Sequence, residues 1–257
     1  MKPFELRPSP VQRRIVADAG YLAHRRHIIH GLVEADITAA RTLMNEQSQR
    51  LGAKLSFTAF LAATYARAIA AKPRVQAYRD WRGRQVIFKD VDVATLIEPT
   101  EGAVAIPHVL RDVNLKSVQE LTAEIRSVQE RPRASAQAGG LIDLAPHLPR
   151  FMRLMYFWIL KKNPHWYRSA AGTTAITSIG MFGKSGGWGI AFLSTHTLGL
   201  TVGGIAAKPA IHDGKIEPGE FLQLTLSFDH DLVDGAPAAR FTGRFIEMLE
   251  TGLALKE

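Results

Sequence analysis

Residues 224–241 read Leu224-Thr-Leu-Ser-Phe-Asp-His-Asp-Leu-Val-Asp-Gly-Ala-Pro-Ala-Ala-Arg-Phe241, a strand pattern that passes through a polar turn into a helix pattern. His230 comes directly after the strand, and Asp234 and Gly235 follow four and five residues later. A strand end holds an imidazole rigidly, while a turn leaves it accessible from a cleft. Gly235 permits a tight turn or the close approach of another chain. From this spacing alone, a purely structural role of His230 is the alternative to a catalytic one.

The rest of the chain mixes strand and helix patterns. Runs rich in valine and isoleucine predict strands at 28–37, 91–97, 103–106, 174–179, 198–206 and 221–228. Helices are predicted at 39–52 after an N-cap at Thr38, at 56–72, at 118–130 after a capping box of Ser117 and Glu120, and at 236–251. Because the two kinds of element do not strictly alternate, we expect one α/β domain over residues 1–257, a mixed sheet covered by helices.

The composition is that of a globular protein, with 46% hydrophobic and 22% charged residues among 257. Cysteine is absent, which excludes disulfides, thiolate metal sites and cysteine nucleophiles and fits a cytoplasmic location. The net charge of +8 indicates a solvated basic surface or a basic mouth for an anionic ligand. The aromatic and basic stripes typical of nucleic-acid binding are missing, so no nucleic-acid partner is predicted.

One apolar segment, residues 151–160, belongs to none of the strands and helices predicted above. It has about ten residues and is interrupted by Arg153, whereas a membrane-spanning helix needs about 20. We expect a helix packed on the core or on another subunit. A membrane-surface helix with Lys161 and Lys162 at its edge is the alternative.

His24, His27 and His30 are three residues apart, so they could share one face of a helix. The pattern changes from helix to strand at this point, which favours a surface cluster. We therefore predict no metal site.

Several stretches resemble the catalytic domain of the 2-oxoacid dehydrogenase acyltransferases, the dihydrolipoyl acyltransferase core that is related to the chloramphenicol acetyltransferases. They are residues 56–61 (SFTAFL), 91–107 (VDVATLIEPTEGAVAIP), 110–117 (LRDVNLKS), 172–183 (GTTAITSIGMFG) and 224–241. The resemblance implies the chloramphenicol acetyltransferase-like sandwich fold and a homotrimer with each active site between subunits. The charged C-terminal tip favours a trimer without a larger cage.

The resemblance also implies the chemistry, which is transfer of an acyl group between coenzyme A and a dihydrolipoyl thiol. His230 would be the general base, because the thiolate is the nucleophile and a free thiol is mostly protonated at neutral pH. The family's oxyanion serine aligns with Thr177, and Ser178 is next to it. Neighbouring strand residues face opposite ways, so only one of the two can serve, and we favour Thr177.

Asp234 is expected to hold the loop geometry, as the corresponding family aspartate does, often through an arginine. Candidates by position are Arg13, Arg14 and Arg240. Asp231 departs from the family pattern, which commonly has arginine after the histidine. This reversal of charge could alter which anionic thiol carrier is accepted.

Coenzyme A is expected as a substrate and not as a bound cofactor. We expect a stand-alone catalytic domain with no lipoyl domain and no peripheral subunit-binding domain, so a lipoyl group would come from a lipoylated partner in trans. The alternative function is a catalytically idle, self-assembling scaffold or binding protein with the same fold. A measurement of thiol-acyl exchange separates the two.

Overall fold

A computed structural model describes residues 4–11, 13–99, 105–131, 144–179, 186–212 and 214–256. Six strands form one mixed sheet: β1 (Ile28–Asp36), β4 (Val93–Ile97), β5 (Ile106–Leu110), β6 (Thr174–Ser178), β7 (Leu198–His212) and β8 (Lys215–Asp229). Their order across the sheet is β1-β8-β7-β6-β4-β5. The pairs β4–β6 and β6–β7 are parallel, and the other three are antiparallel. A separate short hairpin consists of β2 (Tyr78–Arg79) and β3 (Gln85–Val86).

The α-helices are α1 (Arg13–Ala23), α2 (Thr38–Leu51), α3 (Phe57–Ala71), α4 (Val118–Glu130), α5 (Arg150–Lys162), α6 (Pro164–Ala171) and α7 (Gly235–Glu250). The predicted capping box before α4 is present, with both reciprocal hydrogen bonds between Ser117 and Glu120. A mixed sheet covered by helices confirms the predicted fold class. No helix in the described ranges is long and apolar enough to cross a bilayer.

The main core lies between one face of the sheet and helices α2, α3, α4 and α7. On β8 the alternating residues Leu222, Leu224, Leu226 and Phe228 point into this core and are fully buried. Burial of each such side chain is worth about 1.5–3 kcal/mol. The strand that leads to His230 is therefore among the most firmly held parts of the chain.

The opposite face of the sheet is polar but is also buried. Thr201, Gln223, Thr225 and Ser227 lie there, all at most 3% exposed, and we call them the polar sheet face. Residues 186–197 run across it. The Gly187 N–H donates to the Gln223 side-chain oxygen at 3.1 Å, and the Trp188 indole N–H donates to the Val33 carbonyl at 3.0 Å.

Three sequence predictions differ from the structure. Thr38 is the first residue of α2 and not its N-cap, because its N–H and hydroxyl both donate to the Asp36 carboxylate and draw it into the first turn. The strand predicted at 103–106 lies mostly outside the described residues, and β5 runs from Ile106 to Leu110. Strands β7 and β8 are longer than predicted because their polar, proline-containing ends pair with each other as an antiparallel arm.

Asp92 connects three parts of the fold next to β6. Its carboxylate is 2% exposed and accepts hydrogen bonds from Arg168 at 2.8 Å and from Arg111 at 3.0 Å. Its carbonyl accepts from the N–H groups of Thr173 and Thr174, at the start of β6. Burial by itself would raise the pKa of Asp92, but the hydrogen bonds from Arg168, the Asp112 N–H and Arg111 outweigh it and lower the pKa.

We expect Asp92→Asn to lower the free energy of unfolding at pH 7 by about 2 kcal/mol, since hydrogen bonds to a charged group are lost. The pKa of Asp92 is lower in the folded state, so the stabilisation is present above about pH 4 and is lost as the pH falls through the folded-state pKa. Urea unfolding of both proteins from pH 7 to pH 3 measures this. Asp112→Asn, at a half-exposed carboxylate, is the matched control. A difference in the free energy of unfolding between wild type and Asp92→Asn that is the same at every pH would contradict the expectation.

Candidate active site

The predicted catalytic turn joins β8 to α7. The N–H groups of Leu232 and Val233 both donate to the Asp229 carbonyl at 3.0 Å, which closes the turn. The N–H of His230 donates to the His27 carbonyl at 2.8 Å, so the backbone of the histidine is held from the side of β1. Val233 is buried in the core, whereas the His230 side chain is 45% exposed. The turn therefore presents an accessible imidazole on a fixed backbone.

A buried ion pair lies directly beneath this turn. The Arg26 guanidinium contacts the Asp229 carboxylate at 2.5 Å, and the two side chains are only 5% and 10% exposed. Arg26 also donates to the His196 carbonyl at 2.7 Å, which ties the turn to the segment over the polar sheet face. Sequence reasoning missed this arginine. The available signal was its place just before β1, but the register Ile28↔Asp229 that brings the two together was not known.

Asp234 and Gly235 are placed differently from the expectation. The Asp234 carboxylate is 85% exposed and lies 3.8 Å from Nδ1 of His230, beyond hydrogen-bond distance. No arginine in the described ranges contacts it. The expected partners Arg13, Arg14 and Arg240 therefore do not pair with Asp234. The arginine at the turn is Arg26, and its partner is Asp229. Gly235 is the first residue of α7 and has no positive φ, and a Cβ at this position would meet nothing of its own chain within 4 Å, so the turn does not require glycine; the close approach of another chain stays a prediction.

Asp231, the departure from the family pattern, contacts basic groups of its own chain. Its carboxylate pairs with Nδ1 of His27 at 2.9 Å, and the Arg79 guanidinium donates to its carbonyl at 3.0 Å. The hydrogen bond with His27 lowers the pKa of Asp231, and the charges of Arg79 and Lys161 act in the same direction. Partial burial in turn lowers the pKa of Lys161, whose charge interacts with Arg26 and Asp231. The surroundings of His230 thus hold several basic groups beside two exposed carboxylates, those of Asp231 and Asp234.

Thr177 and Ser178 lie on opposite faces of β6, as the alternation predicts. Thr177 lines a cavity of about 470 Å³ against the polar sheet face, whereas Ser178 is not part of the lining. The rest of the lining is mainly apolar and includes Leu96, Ala175, Phe192 and Leu193. Thr177 therefore offers a hydroxyl at the side of a space that an apolar group could enter.

His230 and Thr177 are far apart within one chain. Thr177 pairs with Thr201 on β7, which pairs with Thr225 on β8, and His230 follows Thr225 by five residues. At 3.3–3.4 Å per strand residue, the two lie about 17 Å apart along the strand direction. A carbonyl group in contact with Thr177 is therefore beyond the reach of His230 of the same chain.

Other histidines close to the turn have separate contacts. The ring of His196 donates a hydrogen bond from Nε2 to the Ala171 carbonyl at 2.8 Å, because a carbonyl oxygen can only accept. Burial lowers the pKa of His196 to about 4, so this histidine is neutral at pH 7. Nδ1 of His30 is 2.9 Å from the Ser227 hydroxyl, whereas His27 contacts Asp231. Within the described ranges, no group of three metal-ligating side chains is found.

Comparison with known proteins gives a consistent family. The sequence profile of the 2-oxoacid dehydrogenases acyltransferase (catalytic domain) family matches residues 23–138 and 168–255. The dihydrolipoyllysine-residue acetyltransferase component of the pyruvate dehydrogenase complex of Zymomonas mobilis is 24% identical over 249 residues, covering 95% of this chain and 48% of that protein. The lipoamide acyltransferase component of the branched-chain alpha-keto acid dehydrogenase complex of Bacillus subtilis is 23% identical, covering 86% and 46%. The chain spans about half the length of these curated relatives.

Solved structures show the same fold. The dihydrolipoamide acetyltransferase of Azotobacter vinelandii superposes with a TM-score of 0.72 at 23% identity, covering 100% of this chain and 96% of that one. A chloramphenicol acetyltransferase superposes with a TM-score of 0.53 at 15% identity, covering 96% and 99%. These likenesses confirm the predicted sandwich fold. Because the family profile matches most of the sequence, the chain belongs to the 2-oxoacid dehydrogenase acyltransferase family through its catalytic domain.

Proposed function

We propose that the chain transfers an acyl group between coenzyme A and a dihydrolipoyl thiol, with His230 as the general base. The observation that carries this proposal is the exposed imidazole of His230 on a turn that is fixed by main-chain hydrogen bonds and by the buried Arg26–Asp229 pair. The names of the relatives, which are acyltransferase components of 2-oxoacid dehydrogenase complexes, support the same reaction.

In the proposed reaction the proton and the acyl group move in opposite directions. Asp234 lies 3.8 Å from Nδ1 of His230, and we assign the role of base to the other ring nitrogen, Nε2. Nε2 accepts the proton of the dihydrolipoyl thiol as its sulfur attacks the thioester carbonyl. The resulting oxyanion accepts a hydrogen bond from the Thr177 hydroxyl. When the tetrahedral intermediate collapses, the carbon–sulfur bond to coenzyme A breaks and the imidazolium returns the proton to the departing thiolate.

The cationic groups near the turn suit the charge of the donor. Coenzyme A is a polyanion, and Arg79 and Lys161 both lie close enough to affect the charge of Asp231. Opposite charges at a site entrance raise the rate of association, and this effect becomes smaller as salt is added. The Asp231 carboxylate pairs with His27, and Arg79 donates to the Asp231 carbonyl, so neither Arg79 nor Lys161 forms an ion pair with this carboxylate that a phosphate of the donor would have to break.

A homotrimer, with each site between two copies, accounts for the distance between the two proposed catalytic side chains. Since about 17 Å of strand separates them in one chain, a neighbouring copy would supply Thr177 to His230. The acyl group would then extend into the cavity beside Thr177. A lipoylated partner in trans and a cytoplasmic location belong to the same proposal, the second on the absence of cysteine alone.

The test of the proposed reaction is acyl transfer from acetyl-CoA and from longer acyl-CoA to free dihydrolipoamide. The release of coenzyme A is the quantity measured. We expect turnover with at least one chain length. If the folded protein is inert with every chain length, and also with amine and hydroxyl acceptors, the catalytically idle scaffold becomes the better description.

Thr177→Ala is expected to lower kcat by about 10²–10³-fold, the effect of removing one oxyanion donor, while KM changes little. Thr177→Ser keeps the hydroxyl and should keep most of the activity. Ser178→Ala, the matched control on the opposite face of β6, should also stay active. Steady-state kinetics with acyl-CoA at saturating dihydrolipoamide measures all three.

Mixing variants tests whether two copies share one site. His230→Ala and Thr177→Ala chains that are refolded together in equal amounts should recover about one quarter of the wild-type activity, because about one site in four combines two intact residues. No recovery in trimers that contain both variants would contradict a site between copies.

A further inference from the structure

Helix α5 exposes an apolar stripe instead of burying it. Phe151, Met155 and Trp158 are 69%, 52% and 61% exposed, and Met152 and Ile159 lie on the same side at 36% and 38%. Their spacing of i, i+1, i+4, i+7 and i+8 places them on one face of the helix. We call these five residues the aromatic stripe. An exposed apolar surface of this kind marks a site of interaction.

The opposite face of α5 holds the helix in this orientation. Arg153, in the middle of the helix, is buried and contacts the Asp18 carboxylate of α1 at 2.6 Å. Its guanidinium also donates to the Leu148 carbonyl at 2.6 Å. Breaking such a buried pair costs about 3–5 kcal/mol, so α5 cannot turn its aromatic stripe inward at little cost.

The surroundings of the stripe are basic. Residues 144–172 contain no aspartate or glutamate, and Arg150, Lys161 and Lys162 lie at the two ends of α5. Lys162 lies over the ring of Trp158 at 5.9 Å. Trp81, which is 65% exposed, adjoins the C-terminal end of α5 through a hydrogen bond from its N–H to the Lys162 carbonyl, and Arg82 lies over its ring at 4.5 Å.

The helix is also outside the part of the chain that the family profile describes. The profile matches residues 23–138 and 168–255, and the whole of α5 falls in the gap between them. The family profile therefore does not describe the stripe, and the acyl-transfer site as described above does not use it.

We propose that the aromatic stripe docks on the surface of an anionic phospholipid bilayer. A helix of 13 residues is about 20 Å long, too short to cross about 30 Å of hydrocarbon but sufficient to lie in the interface. Exposed tryptophan with lysine and arginine at its edge is suited to the boundary between acyl chains and negative headgroups. A two-fold contact with a second copy fits less well, because it would bring the basic ends of two α5 helices together. A head-to-tail contact, as in the proposed homotrimer, is the outcome that the light-scattering measurement below detects.

The experiment is flotation of the complete chain with vesicles of phosphatidylglycerol and phosphatidylcholine, compared with vesicles of phosphatidylcholine alone. We expect wild type to bind the anionic vesicles and to be released as salt is raised. The triple variant Phe151→Ser, Met155→Ser, Trp158→Ser should lower the partition coefficient at least tenfold. Lys162→Glu should lower it several-fold. The matched control is Ile211→Ser with Ile216→Ser, a cross-strand pair that is 77% exposed at each position.

Because every substituted side chain is exposed, the variants should fold, and acyl transfer in solution serves as the check. Three results would overturn the proposal: wild type that stays unbound, wild type that binds neutral and anionic vesicles equally, or a triple variant that binds like wild type. A triple variant whose only change is a smaller oligomer by light scattering would also overturn it and would identify a second copy as the occupant.

Discussion

His230→Ala is expected to lower acyl transfer from acyl-CoA to dihydrolipoamide by about 10²–10⁴-fold, the usual contribution of a general base. The loss should appear in kcat, because the imidazole acts on the thiol proton during attack and contributes less to ground-state binding.

The fold should tolerate this substitution. The His230 side chain is 45% exposed, and its described hydrogen bond is made by the backbone N–H, which alanine keeps. A change in the free energy of unfolding within about 0.5 kcal/mol is therefore expected. His24→Ala, at an exposed histidine outside the turn, is the control and should be fully active. A folded His230→Ala protein with wild-type kcat would refute the assignment of the base.

Arg26→Met is expected to destabilise the protein by about 3–5 kcal/mol, because it leaves the Asp229 carboxylate buried without its cation. Arg26 also donates to the carbonyls of His196 and Leu193, and both acceptors would lose their donor. The measurement is urea unfolding at pH 7. Arg41→Met is the control, since its ion pair with Glu220 is about 40% exposed on both sides and should contribute less than about 1 kcal/mol.

A double variant separates the contribution of Arg26 to stability from its contribution to catalysis. Arg26→Met with Asp229→Leu removes both charges and should recover part of the lost stability. It should not recover kcat, because the ion pair positions the turn that carries His230. We expect KM to change less than kcat. An Arg26→Met protein as stable as wild type, or a double variant with wild-type kcat, would contradict this role.

The local elements of this protein follow from its sequence because the interactions that define them are local. Ser117 and Glu120 are three residues apart, so the capping box that starts α4 forms in the predicted place. The alternation of β8 leads to a turn at His230 and a helix from Gly235 for the same reason. The alternation of β6 likewise implied that only one of Thr177 and Ser178 could face a ligand, and Thr177 is the one that lines the cavity.

Contacts between distant residues were decided by the tertiary structure. Arg26 and Asp229 are separated by 203 positions, and only the β1–β8 register brings them together. The apolar segment 151–160 forms a helix, as expected. Within one chain it buries Leu160 and leaves most of its apolar side chains exposed, and packing on another subunit stays a prediction. The Arg153–Asp18 pair directs the side of α5 that carries Arg153 inward, because leaving a charge buried without its partner costs more free energy than leaving an apolar side chain exposed. Sequence thus determined which elements form and that His230 lies at the end of a strand. The pairing of charges across the fold determined which contacts hold the turn of His230 and which side of α5 remains exposed.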